Sequence, residues 1–253
     1  MELRLDGVTA AYGRRPVLED ISFTVREGSL TALVGRNGAG KSTLVGCLTG
    51  EKQDYRGTMY LDGQDIRSLS RGERACRLAC LPQVLPRPHV TVEELIAFGR
   101  TPYTPVTGML SATDKDKIRW ALNAVEMAGY ADAFVDTLSG GERKKAFFAM
   151  VLAQDTPVVV LDEPTAHLDA VSRFGFLNLI NDLRRETGKT FLTVMHELPE
   201  VLRYADTIVA IHEKRVAFEG SPAACLEAGI GETCFGVRVT GDGETGYAVS
   251  PLA

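Results

Sequence analysis

No stretch of this 253-residue chain is apolar over the about 20 residues that a bilayer-crossing helix needs, and its opening, Met1-Glu2-Leu3-Arg4-Leu5-Asp6, lacks the apolar core of a secretory signal. The expectation is a chain that stays in the cytosol. Cysteine is sparse and odd in number: Cys47, Cys76, Cys80, Cys225 and Cys234. The C-x₃-C pair at 76 and 80 has no second half at metal-ligand spacing, so all five read as small buried hydrophobes rather than as a disulfide framework or a zinc site. Basic charge is not in excess, with 28 Lys and Arg against 33 Asp and Glu, net −5, and this disfavours a nucleic-acid partner. Internal repeats, low-complexity linkers and heptad runs are missing as well. What is present is 45% hydrophobic and 24% charged residues, enough to bury one sizeable core and a smaller subdomain.

The most informative residues are Gly35-Arg36-Asn37-Gly38-Ala39-Gly40-Lys41-Ser42, which follow the apolar run Leu30-Thr31-Ala32-Leu33-Val34. This is a phosphate-binding loop after a buried strand. Its glycines allow the backbone to curl with N–H groups pointing inward, which demands positive φ and close approach without a Cβ. Lys41 adds a fixed positive charge, Ser42 offers a hydroxyl to Mg²⁺, and Thr43 continues the helix whose positive end faces the anion. By residue frequencies the bare pattern would arise in roughly one chain of this length in a hundred. The strand-then-helix context makes coincidence rarer still.

Two further elements carry chemistry. Val158-Val159-Val160-Leu161-Asp162-Glu163 reads as a buried parallel strand ending in two carboxylates. Asp162 is placed to hold Mg²⁺ through its water shell, and Glu163 to polarise a water for in-line attack on the γ-phosphate. The bland alternative is that the pair caps the following helix. Leu138-Ser139-Gly140-Gly141-Glu142 opens a helix that ends near Ala153 and exposes N–H groups with little side-chain cover, a second anion site. An N-cap explains Ser139 but neither glycine.

Along the chain, Leu3, Leu5 and Val8, then Ile21, Phe23 and Val25, alternate on either side of a Tyr12–Pro16 turn, which predicts antiparallel strands. Residues 41 to 49 read as a helix and Gly57–Gly63 as a strand and turn. From about Pro86 to Thr137, with prolines at 86, 88, 102 and 105, the character becomes that of a helical insertion. It includes a helix from about Ala112 to Ala128 with Ile118, Leu122, Val125 and Met127 on its apolar side. Val158–Leu161 and Phe191–Val194 are apolar strands separated by a helix, as a parallel sheet covered on both faces requires. Phe235–Val239, a Gly241-Asp242-Gly243 turn and Tyr247–Val249 read as a hairpin.

Taken in order, these motifs resemble those of the ATP-binding subunits of ABC transporters over roughly residues 2 to 250. The resemblance implies an α/β fold: a P-loop NTPase core with a mostly parallel sheet, an N-terminal antiparallel β subdomain and an ABC-specific helical subdomain at about 84–137, all one ATPase domain. It implies that Ser139, Gly140 and Gly141 face the phosphate loop of a second subunit, so that two chains clasp two ATP molecules with Mg²⁺. By the same resemblance Tyr12 stacks on adenine, and Gln83 links Mg²⁺ and the attacking water to the membrane partner. His196 contacts the γ-phosphate, and Asp169 closes the Ala166-His167-Leu168-Asp169 loop where subunits touch. Gly99–Tyr103, Ser111–Asp114, Leu152–Pro157, Thr165–Asp169 and the tail around Phe235–Val237 are similar to the ATPases of metal-chelate importers for iron-siderophores, haem or cobalamin. That implies a permease seated on the 83–137 region at the cytoplasmic face, and indirectly a substrate-binding protein. ATPases for molybdate or zinc share several of these pieces.

Departures from the family pattern are Lys144 and Lys145, where glutamine and arginine are usual, Met150, where an arginine is usual, and a Glu213-Lys214-Arg215 turn without its usual glycine. Lys145 lacks the bidentate fork of arginine. The turn is expected to cost a little stability and no function. A soluble ABC ATPase of DNA repair or translation would carry a coiled-coil insertion or two cassettes. A phosphate-loop GTPase would need Asn-Lys-x-Asp, and neither it nor a kinase needs Leu138-Ser139-Gly140-Gly141-Glu142.

Overall fold

The computed structural model describes residues 1–104, 108–242 and 246–252, and its centre is a six-stranded sheet. In spatial order the strands are Arg215–Gly220, Thr207–His212, Leu30–Gly35, Thr190–Val194, Val158–Asp162 and Leu78–Leu81. All but the first are parallel, and the first joins antiparallel to Thr207–His212. Alternate side chains of a strand leave for opposite faces: Val159 and Leu161 join one apolar cluster, Val158 and Val160 the other. Burial on both faces is why these strands read as unbroken apolar runs instead of alternating ones.

One face packs against the helices Gly140–Ala153 and Ala170–Thr187, where the rings of Phe148 and Phe176 lie 5.1 Å apart. The other face packs against the helix Lys41–Thr49, through Leu44 and Leu48, and against a second sheet. That sheet is antiparallel, in the order Arg15–Val25, Leu3–Tyr12, Tyr55–Leu61, Gln64–Asp65. Leu3 lies opposite Val25, Leu5 opposite Phe23 and Val8 opposite Ile21, all buried, as the alternation predicts.

Between residues 84 and 137 the described chain is mainly helical, with Val92–Phe98 and Ala112–Ala124 packed on the Gly140–Ala153 helix through Leu95, Ile118 and Leu122. A buried ion pair ties this region to the core. Arg100 Nε donates to Asp114 Oδ1 at 2.8 Å and its Nη1 to Ala153 O at 2.7 Å, while Asp114 also accepts from Ser111 N and Oγ.

Three expectations need correction or restriction. The helix expected to run to Ala128 stops at Ala124, because Glu126 adopts a left-handed φ of 59° and turns the chain back; Val125 and Met127 reach the core from this loop. Cys47, Cys225 and Cys234 are buried, but Cys76 and Cys80 are only partly covered. Cys80 sits on Leu78–Leu81, the sheet's edge strand, and Cys76 follows the short helix Arg71–Ala75. The hairpin forms from Val237–Asp242 and Gly246–Pro251, while Gly243 of the expected turn, like Pro105, lies outside the described residues. Among the described residues no helix is long and apolar enough to cross a membrane.

Candidate functional site

Four neighbouring parallel strands end at one edge of the sheet, and their register decides what meets there. Leu33 and Asp162 are both level with Val194, and Leu81 is level with Leu161. The residues just beyond these ends therefore converge, as carboxyl ends of parallel strands do.

The phosphate loop leaves Leu30–Gly35 and turns into the helix Lys41–Thr49, with Gly38 at φ 81° and Gly40 at φ 100°. A Cβ on Gly40 would stand 2.5 Å from Leu18 Cδ2, and one on Gly35 would stand 2.6 Å from Ile211 O. Room, as well as backbone sign, thus demands glycine. Ala39 N donates to Arg36 O at 3.0 Å and closes the turn. Lys41 is only 5% exposed, and its Nζ donates to Gly35 O at 2.7 Å and to Arg36 O at 3.2 Å. Burial lowers its pKa below the usual lysine value, opposed by the charges of Glu163 and Asp162.

Lys41 opens onto a cavity of about 640 Å³ that Tyr12, Asn37, Gly38, Gly40, Ser42, Thr43, Gln83 and Glu163 also line. The cavity thus gathers most of the residues singled out for nucleotide in the sequence. Tyr12 is 60% exposed at its mouth, and Lys52 Nζ lies 4.5 Å from the ring centroid while donating to Ala11 O at 2.7 Å. Arg15, Val17 and Lys214 line the cavity too, and sequence reasoning gave them no site role.

The two carboxylates at the strand end face different ways. Asp162 is 7% exposed, and its Oδ1 is buried without a hydrogen-bond partner. Burial first, then the neighbouring charge of Glu163, raises its pKa. Neither residue caps the next helix: Asp169 does, accepting from Ser172 N at 2.9 Å and from Ser172 Oγ at 2.8 Å. Glu163 stands at a left-handed φ of 49°, where its Oε2 accepts from Gln83 Nε2 at 2.7 Å and its Oε1 meets His196 Nε2 at 2.5 Å. Holding a non-glycine residue there costs on the order of 1 kcal/mol, and such strain gathers at functional sites.

Ser42, Gln83 and Asp162 supply a hydroxyl, an amide oxygen and one carboxylate, hard oxygen donors of the kind Mg²⁺ takes, and the orphaned Asp162 Oδ1 is the atom a nearby cation would satisfy. No group of three or more His, Cys, Asp or Glu among the described residues could hold a metal. A set with so few protein ligands is the type completed by substrate phosphates.

The helix start expected to form a second anion site lies elsewhere on the chain. Ser139 caps the Gly140–Ala153 helix in a reciprocal box, with Glu142 N donating to Ser139 Oγ at 3.3 Å and Ser139 N to Glu142 Oε2 at 2.9 Å. Ser139 and Gly141 line a different cavity, of about 620 Å³. None of Ser139, Gly140, Gly141 or Asp169 lines the cavity that Lys41 faces.

Lys144, one turn into that helix, is buried at 6% exposure, and its Nζ donates to Ala166 O at 2.7 Å. Burial lowers its pKa from 10.5 to about 8, against the attraction of Glu163. Between those two values the unfolded chain binds the extra proton, so Lys144 makes stability rise with pH there. Denaturant midpoints at pH 7 and pH 9.5 are expected to show Lys144→Gln as the more stable protein at pH 7 and as lacking that part of the rise. Equal pH responses in both proteins would contradict it. Lys145, by contrast, makes only an exposed contact with Glu126 at 3.4 Å, of the kind worth little.

A family model described as ABC transporter matches residues 18–166, more than half of the chain. The chain belongs to the ABC transporter family. It is 37% identical over 237 residues to the ferric enterobactin transport ATP-binding protein of Escherichia coli, covering 93% of this chain and 88% of that one. To the hemin import ATP-binding protein of Rhodococcus jostii it is 40% identical over 225 residues, covering 88% of this chain and 76% of that one. Among solved structures, a nucleotide-free ATP-binding cassette from an ABC transporter superposes with a TM-score of 0.78 at 25% identity, over 87% of this chain and 92% of that one. This ABC transporter subunit therefore binds and hydrolyses ATP on a P-loop α/β fold. Of the site residues, Lys52 gave no signal in the sequence, since it lies far from Tyr12 along the chain and meets it only through folding.

Proposed function

We propose that the chain acts as one ATPase domain, peripheral at the cytoplasmic face of a membrane, and powers an importer of metal chelates. The cargo class follows the relatives, which are named for ferric enterobactin and hemin transport. A permease seats on the 83–137 region, where Val84, Phe98 and Met109 expose apolar surface, and a substrate-binding protein delivers cargo from the other side.

The observation that carries the mechanism is the division of the anion sites. The phosphate loop and the Ser139–Gly141 helix start open onto separate cavities, and a Cβ on Gly140 would meet nothing within 4 Å in its own chain. Gly140 is the first residue of its helix, its backbone is not left-handed, and no packing within the chain requires glycine at this position. A partner's triphosphate does: two copies pair so that Ser139, Gly140 and Gly141 of each contact the γ-phosphate held at Lys41 of the other, with Asp169 at the seam.

Tyr12 stacks on the adenine, while Lys41, Ser42 and the loop amides of Gly38, Ala39 and Gly40 bind the β- and γ-phosphates. A magnesium ion held by Ser42, Asp162 and Gln83 would neutralise phosphate charge. Glu163 accepts the proton of the attacking water, Gln83 and His196 hold its carboxylate in position, and His196 also contacts the γ-phosphate. Loss of the γ-phosphate removes the shared anion and the subunits part. The difference in affinity between ATP and ADP is what moves the permease.

Light scattering of the full chain with saturating ATP and EDTA tests the pairing. Dimers are expected, and Gly140→Arg is expected to abolish them while ATP still binds at the phosphate loop. An unaltered chain that stays monomeric, or a Gly140→Arg variant that pairs as well as the unaltered chain, would overturn the mechanism.

A further inference from the structure

The Glu213-Lys214-Arg215 turn, expected from the sequence to be neutral for function, reaches the nucleotide cavity. Lys214 lines that cavity beside Arg15 and Val17, although it belongs to a hairpin at the far edge of the six-stranded sheet. We propose that Lys214 is a nucleotide-contacting residue, its ammonium passing from Glu19 to a phosphate oxygen of the bound nucleotide. The inference rests on the assignment of this cavity to ATP.

Lys214 is poorly suited to its place as a turn residue. Glu213 at φ 47° and Lys214 at φ 70° are both left-handed, the backbone of a two-residue hairpin turn in which glycine or asparagine is favoured. A lysine here serves something other than the turn. The backbone is anchored, because Glu19 N donates to Lys214 O at 2.9 Å and fixes the turn to the Arg15–Val25 strand, whose first residues form the cavity wall.

The side chain, in contrast, is held loosely. Lys214 Nζ lies 3.2 Å from Glu19 Oε1 and the side chain is 45% exposed, so the pair is solvated and screened. Arg215 reaches the other oxygen, Glu19 Oε2, at 3.3 Å. If Lys214 leaves, Glu19 keeps a cation. The move exchanges a solvated carboxylate for a phosphate, and it strengthens a pocket that Arg15 and Lys41 also line. Every nucleotide bearing phosphate gains from it, ADP as well as ATP.

Calorimetric titration of the full chain with ATP and with ADP, in EDTA to stop turnover, tests the inference. Lys214→Gly is expected to weaken both ligands by about 3- to 10-fold, the worth of one partly solvated charge-assisted contact, without lowering the melting temperature. Lys214→Gln should weaken them similarly, which separates charge from turn conformation. Glu19→Gln, which frees the ammonium, is expected to tighten binding, and the gain should vanish in Glu19→Gln/Lys214→Gly. Binding by both Lys214 variants within twofold of the unaltered chain overturns the inference alone, as does a Glu19→Gln gain that survives loss of Lys214. Absence of ATP binding by the unaltered chain overturns the site assignment itself.

Discussion

Glu163→Gln is expected to slow ATP hydrolysis by about 10²–10⁴-fold while leaving ATP affinity unchanged. The glutamine side chain has the size of the glutamate, so its oxygen can still accept the bond that Gln83 Nε2 makes to Oε2 at 2.7 Å, and the strained φ of 49° is kept. What it cannot do is take a proton from water. The groups proposed to bind ATP are on other elements: Lys41 at the end of the glycine loop and Tyr12 at the end of the Leu3–Tyr12 strand. Phosphate release, equilibrium binding and light scattering together check the result, with binding intact, turnover lost and the pair of subunits held closed by unspent ATP. Hydrolysis at the parental rate would remove Glu163 from its role as base. His196→Ala should also slow turnover but lose less, since the base remains and keeps its bond to Gln83 while one support and the γ-phosphate contact are gone.

For stability, the largest expected effect comes from Arg100→Leu, about 3–5 kcal/mol. Arg100 and Asp114 are each only 6% exposed, and removing the guanidinium leaves a carboxylate in the core without its countercharge. Ala153 O also loses the donor it meets at 2.7 Å. Asp114 is held below the usual carboxylate range first by the Ser111 hydroxyl and amide and then by Arg100. Its contribution is therefore full above the unfolded carboxyl value and lost as pH falls through the lower folded one. The single tryptophan, Trp120, lies on the same helix as Asp114, so urea unfolding followed by fluorescence reads the site directly. An unchanged midpoint would show that the pair contributes nothing. Replacing both residues by leucine should recover part of the loss, because no lone charge is then buried.

Much of this molecule is legible without coordinates because its signals are local. Lys41–Thr49 starts where the phosphate loop ends, since Gly40 takes a left-handed φ that no other residue adopts as cheaply. The Gly140–Ala153 helix starts at a serine and glutamate three residues apart that cap each other. Val158–Asp162 is visible as an apolar run because both faces of its sheet are covered. The end of the Ala112 helix is not legible: Val125 and Met127 are buried as periodicity demands, but the backbone has already left the helix at Glu126. Burial leaves a mark in the pattern of apolar residues, whereas the φ of one glutamate does not.

The amino-acid order by itself determined the glycine loop before Lys41, the paired carboxylates at a strand end and the glycine-rich helix start after Ser139, because glycine spacing and strand hydrophobicity are properties of neighbouring residues. Only the tertiary structure decided that Gln83 and His196 both grip Glu163, that Lys52 lies over Tyr12, that Lys144 is buried against Ala166, and that Lys214 reaches the cavity that Lys41 faces. Each of these contacts joins segments far apart in the chain. Their distances follow from strand register and sheet order, which no local pattern encodes.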